Sequence, residues 1–176
     1  GFQPRVAPCA RPCPADPPVT AETPATAPES PPDPVVEPIP APPSLGYQDR
    51  HGLVVVEKRG PEMFGHFDIT PDHLNRQGIV HGGVYATMLD AIMTSAGTYA
   101  DGAARRRPAV TVSMTVNFTG RASEGRVALR SRLVQRTSRS FTAEAQATAP
   151  DGTVLAHALG SFRYSAPPAE PAAGGA

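Results

Sequence analysis

One stretch of the chain gathers the residue types that chemistry at a carbonyl needs. It reads Asn75-Arg-Gln-Gly-Ile-Val-His81-Gly82-Gly83-Val-Tyr-Ala-Thr-Met-Leu-Asp90. The paired glycines open into a segment with helical character, and without Cβ atoms they let another group approach their backbone N–H groups. Those amides lie where a helix has unsatisfied donors and a partial positive charge, a site for an oxyanion or a polarised carbonyl oxygen. Alone, the Gly pair reads first as a tight turn into a helix. Asp90 changes that reading, because it is the only side chain between Gly82 and Ala100 that is charged at neutral pH. It stands either at an exposed gap on the helix or in an apolar pocket as a nucleophile or general base.

Geometry adds a constraint. Gly83 and Asp90 are seven residues apart, so they share a helix face yet lie about 10 Å apart along the axis. A carbonyl held at the Gly83 amide is out of reach of Asp90 in the same chain. If both act on one carbonyl, two subunits with antiparallel helices must supply them. Asn75 reads as a turn residue or as a group that orients water or a carbonyl. His81 either donates to a substrate or caps the turn. Thr111 sits on the polar side of its strand pattern, where solvent exposure is the simplest reading. Arg136-Thr137-Ser138-Arg139, at a strand-to-strand turn, offers two guanidiniums and two hydroxyls that suit a nucleotide phosphate. Arg105-Arg-Arg107 reads as a solvated loop. His51, His66, His73 and His157 form no metal-ligand spacing with Cys or carboxylates, so no metal is expected.

The elements that would position these residues follow from hydrophobic patterning. Leu53–Glu57 and Met63–Ile69 read as strands around a Gly60-Pro61 turn. Val84–Tyr99 reads as a helix with one charge in sixteen residues and apolar positions around most of its circumference, so it must be enclosed. Ala109–Tyr164 reads as successive strands. Val110, Val112, Met114, Val116 and Phe118 alternate with Thr111, Ser113, Thr115 and Asn117, and Phe141, Ala143, Ala145 and Ala147 alternate with polar neighbours. Val127, Leu129, Ser131 and Leu133 line one face of the strand between them, Pro150-Asp-Gly152 marks a turn, and Val154–Tyr164 is the last strand. This order predicts an α+β architecture: one antiparallel sheet wrapped around one long central helix.

Composition bounds the rest. The chain has 176 residues, with 16 basic and 16 acidic side chains, and zero net charge argues against general nucleic-acid binding. Residues 1–44 hold 15 of the 22 prolines and carry two Arg against five acids, which predicts a disordered, partly polyproline-II arm. Residues 45–165 are expected to form the folded domain and 166–176 a loose tail. The two cysteines, Cys9 and Cys13, both fall in the arm, so no disulfide scaffold is expected and the domain reads as cytoplasmic. The longest uncharged run is broken by His81 and Asp90, so no membrane span is expected. The N-terminal segment shows no apolar stretch of the signal-peptide kind.

The pattern Asn75-x5-His81-Gly82-Gly83-x6-Asp90 resembles that of hotdog-fold acyl-CoA thioesterases of the phenylacetate-pathway, PaaI-like group, over about Leu45–Tyr164. The resemblance implies a sheet around the helix, and a homodimer with a continuous sheet that often doubles to a homotetramer. It also implies an acyl-CoA substrate and no cofactor beyond the CoA that the substrate carries. By position it makes Asp90 the nucleophile or water-activating base, with Gly82 or Gly83 holding the thioester oxygen and His81 assisting. Asn75 would position water or thioester, and Thr111 would stand beside the carboxylate, where relatives often have Ser. The CoA nucleotide would lie near Arg136, Thr137, Ser138 and Arg139. A non-catalytic acyl-CoA sensor and a hydratase or dehydratase on the same fold remain the alternatives.

Overall fold

A computed structural model describes residues 35–39, 46–102, 104 and 106–165, so most of the expected arm and all of the expected tail lie outside the described residues. The alternating segments become seven strands: β1 Val36–Pro38, β2 Val54–Arg59, β3 Glu62–Asp68, β4 Ala109–Phe118, β5 Arg126–Arg136, β6 Ser140–Thr148 and β7 Val154–Tyr164. Helix α1 covers Tyr47–Arg50 and the long helix α2 covers Gly82–Thr98. All pairings are antiparallel, and the strands lie in the order β1-β2-β3-β5-β6-β7-β4.

The sheet folds around α2 because its inward positions are apolar and the helix has almost no polar face to leave in water. Met63 and Phe67 of β3, Leu129 of β5, Leu155 and Phe162 of β7 close on Met88, Leu89, Ile92 and Met93, all at most 1% exposed. Ser131, in the inward row of β5, is buried among them and donates to the Ile92 carbonyl at 2.9 Å, so its hydroxyl is satisfied. The enclosure within one chain is incomplete. Gly83, Ala86, Thr87, Asp90 and Thr94, at helical spacing, form a stripe of α2 that is half-buried or exposed.

Three features depart from the sequence reading. Residues 36–38, inside the stretch expected to be disordered, form β1 against β2, and Ile39 enters the core at 8% exposure. The apolar Ile39 and the Lys58–Glu37 ion pair at 3.4 Å hold this strand where composition alone suggested none. Strand β4, the first after the helix, does not pair with β5 but crosses to the far edge beside β7. Finally, β4 carries a bulge: Thr111 faces Phe162 of β7, but Ser113, two positions on, faces Ser161. The extra residue, Val112, switches the phase of the strand. Ala109 and Thr111 therefore lie on the helix side before it, and Met114 and Val116 after it, while Val110 and Val112 are left 47% and 66% exposed.

Candidate active site

The bulge brings Thr111 to Asp90. Its hydroxyl donates to Asp90 Oδ1 at 2.6 Å, which fixes the carboxylate on the half-exposed stripe of α2. Thr111 is exposed, and its side chain faces the helix beside the carboxylate. A straight β4 would turn it away from the helix; the bulge turns it in. The carboxylate keeps its second oxygen for water or substrate.

The other end of the stripe is the helix start. His81 is the N-cap residue, with extended backbone angles (φ −65°, ψ 136°). Its Nδ1 accepts the Gly83 N–H at 2.8 Å, and its carbonyl accepts the Val84 N–H at 2.9 Å. A Cβ on Gly83 would stand 2.9 Å from that Nδ1, so the cap requires glycine there. The two glycine amides are thus not equivalent. Gly83 N–H is committed to the cap, whereas Gly82 N–H makes no hydrogen bond among the described residues and is the open donor. With Nδ1 accepting, a neutral His81 carries its proton on Nε2, which makes the exposed ring a second donor beside Gly82.

Behind the cap stands His73, a residue the motif reading left without a role. Its carbonyl accepts the His81 N–H at 2.8 Å, and its Nδ1 accepts the Thr70 N–H at 3.1 Å. The ring is 3% exposed and meets Phe67 edge-on at 5.5 Å between centroids. Burial, helped by the neighbouring His51, pushes the His73 imidazole below its ordinary value. Its signal in the sequence was weak: one more histidine, eight positions before His81.

Asn75 serves the loop itself. Its Oδ1 accepts the Gln77 and Ile79 amides at 2.8 and 3.4 Å, and its backbone bonds Ile79 and Gly78, so the turn role is the one seen. The side-chain NH2 is left as the group that can face a ligand.

The 136–139 turn divides. Arg136 is tied to Asp101 by two bonds of 2.8 and 2.6 Å and to the Tyr164 hydroxyl at 3.0 Å, and the Asp101 carboxylate raises its pKa further above an already high value. Tyr164 in turn donates to Gly97 O at 3.1 Å, so this cluster latches the end of the sheet to the end of α2. Nε, Nη1 and Nη2 of Arg136 are thus each engaged within the chain. Thr137 and the Ser140 hydroxyl shape the turn, with Thr137 Oγ1 accepting the Arg139 and Ser140 amides at 3.2 and 3.0 Å. Arg139 is exposed, and Ser138 lends its carbonyl to Arg107 at 2.6 Å. Arg107 is not the solvated residue expected from its run of arginines: it is 9% exposed and stacks on the Tyr164 ring at 3.8 Å.

A groove of about 630 Å³ lies on the face of the sheet turned away from the helix, among Arg130, Arg132, Glu144, Gln146 and His157. Ion pairs Arg130–Glu62 and Arg132–Glu144 satisfy its charges, and none of the residues above lines it.

With this geometry in hand, residues 77–156 match the thioesterase superfamily. The domain has the hotdog fold, and over those residues it is similar to that superfamily. Among solved structures, a conserved protein from Pseudomonas aeruginosa aligns with TM-score 0.63 at 24% identity, over 68% of this chain and 94% of its own. A thioesterase from Haemophilus influenzae aligns with TM-score 0.63 at 12% identity, over 69% and 83%. The PaaI protein of the E. coli phenylacetic acid degradation operon aligns with TM-score 0.59 at 15% identity, over 68% and 84%. These likenesses are of fold. Among curated proteins none matches the chain. No helix among the described residues of this hotdog domain is long and apolar enough to cross a membrane.

Proposed function

We propose that this hotdog domain hydrolyses acyl-CoA thioesters to the free acid and CoA, in sites shared between two copies of the chain. The observation that carries the reading is the pairing of a hydroxyl-anchored carboxylate, Asp90, with an uncommitted amide at the start of the same helix, Gly82. Eight residues separate them, about 12 Å along the axis, so one chain cannot bring both to one carbonyl. Strand β4 runs opposite to α2, with Thr111 at Asp90 and Phe118 at Gly82. A second copy pairing antiparallel along this edge, centred near Met114, sets the Gly82 end of one subunit beside the Asp90 end of the other. The exposed Val110 and Val112 and the half-exposed small-residue stripe of α2 supply the apolar surface for that contact.

In such a site the Gly82 N–H and the helix dipole stabilise the oxyanion that forms as the thioester carbonyl is attacked. His81 Nε2–H is near enough to the helix start to assist. Asp90, held by Thr111, attacks the carbonyl or removes a proton from the attacking water. A thioester is activated enough that this needs no metal. The exposed Arg139 is the cation of the 136–139 turn available to a CoA phosphate. The test is free-thiol release from a panel of acyl-CoAs by the intact chain and by Asp90→Asn. Turnover of at least one acyl-CoA, lowered by roughly 10²-fold or more in the variant, is expected. Binding of acyl-CoA without thiol release by the unaltered chain overturns the catalytic reading in favour of an acyl-CoA sensor.

A further inference from the structure

The residue that a side chain at Gly82 would meet is one the motif does not contain. Phe118, the last residue of β4, points the tip of its ring at Gly82: ring carbons lie 3.3, 3.4 and 3.6 Å from where a Gly82 Cβ would stand. Within one chain the ring is 54% exposed, on the β4 edge proposed above to meet a second copy. It lies on the helix side of β4, in phase with Met114 and Val116. The ring therefore walls the space on the Cβ side of Gly82, next to its N–H. A carbonyl oxygen that reaches this amide must bring its neighbouring acyl carbon past the ring.

We infer that Phe118 determines acyl specificity, admitting thioesters whose carbon next to the carbonyl is an unbranched methylene and excluding those branched there. This rests on the thioesterase reading of the site. It does not depend on the site being shared, because Phe118 and Gly82 are neighbours within one chain. A methylene chain slides edge-on past the ring, while a methyl branch at that carbon meets ring carbons that leave no more than contact distance to the Cβ position of Gly82. One extra carbon in an apolar pocket is commonly discriminated by about tenfold or more.

The experiment compares kcat/KM for butyryl-CoA and isobutyryl-CoA, which have the same composition and differ only in that branch. The unaltered chain is expected to prefer butyryl-CoA by roughly tenfold. Phe118→Ala should narrow the preference to about threefold or less, chiefly by raising the isobutyryl value, and Phe118→Tyr should restore it. An equal loss on both substrates in Phe118→Ala, or no preference in the unaltered chain, overturns the assignment. Absence of thiol release from every acyl-CoA by the unaltered chain overturns the thioesterase reading itself, and this assignment with it. Circular dichroism and size-exclusion profiles matching the unaltered chain establish that Phe118→Ala is folded; if it is not, Phe118→Leu takes its place with the same expected direction.

Discussion

Gly83→Ala separates what the His81 cap does for stability from what it does for chemistry. An alanine Cβ would stand 2.9 Å from His81 Nδ1 and 3.2 Å from Cε1, so the ring must swing away and the 2.8 Å bond to the Gly83 N–H is lost. Losing such a cap costs about 0.5–2 kcal/mol. Replacing a helical glycine by alanine returns about 0.5–1 kcal/mol, from reduced freedom of the unfolded chain. The two largely offset, leaving a net change between about −0.5 and 1.5 kcal/mol, which moves Tm by roughly 6 °C or less in a domain of this size. Activity has no such compensation. Moving the imidazole takes away the Nε2–H beside Gly82, and a lost oxyanion donor typically costs about 10²–10³ in kcat. The assay is a thermal melt and thiol-release kinetics on one preparation. His81→Ser is the control, because Ser caps well but carries no side-chain N–H: it should melt like the unaltered chain and turn over as slowly as Gly83→Ala. Full turnover by Gly83→Ala, or a melting point lowered by more than about 10 °C, refutes this division of roles.

Other perturbations test the parts separately. Because burial favours the neutral form of His73, the unfolded chain binds a proton that the folded chain resists as pH falls below the ordinary value of 6.5. Stability is thus unaffected by this group above that pH and declines beneath it, and His73→Gln should show a shallower fall in Tm between about pH 7.5 and 5.5; an equally steep fall would show that His73 is not the group responsible. Arg139→Ala should raise KM for acyl-CoA with little change in Tm, whereas Arg136→Ala, which breaks the bonds to Asp101 and Tyr164, should lower Tm first. The reverse pattern would return Arg136 to the CoA site. Val112→Arg places a charge on the exposed apolar edge of β4 and should yield a monomer by size exclusion with thiol release abolished; an active monomer contradicts a shared site.

The regular parts of the fold were legible because their patterns are periodic. The inward rows of β5 and β6 and the charge-poor run of α2 each state which face is buried, and together they require a sheet around a helix. What periodicity cannot express was missed. The bulge at Val112 is a backbone event without a residue signature in the Val110–Phe118 alternation, and it alone decides that Thr111 meets Asp90. β1 was hidden by its proline-rich surroundings, and its strand is held by Ile39 and Lys58, outside the segment itself. Arg136 looked available because its partner, Asp101, lies 35 residues away in a different loop. The motif pointed to both glycines; only the cap geometry distinguishes Gly82, which is open, from Gly83, which is not.

The central claim, that Asp90 and Gly82 of different subunits act on one carbonyl, is tested most directly by mixing two inactive variants. Asp90→Asn removes the carboxylate. Gly82→Pro removes the amide donor at the first helical position, where His81 already has the extended angles that a following proline needs and where the exposed Phe118 ring must swing aside to admit the pyrrolidine. Thiol release is measured for each variant and for equal amounts unfolded and refolded together. In a shared site, each mixed dimer carries one doubly damaged site and one intact site, so random assortment should recover about one quarter of the activity of the unaltered chain. No activity above that of the separate variants, with mixed dimers shown to form, would contradict the account.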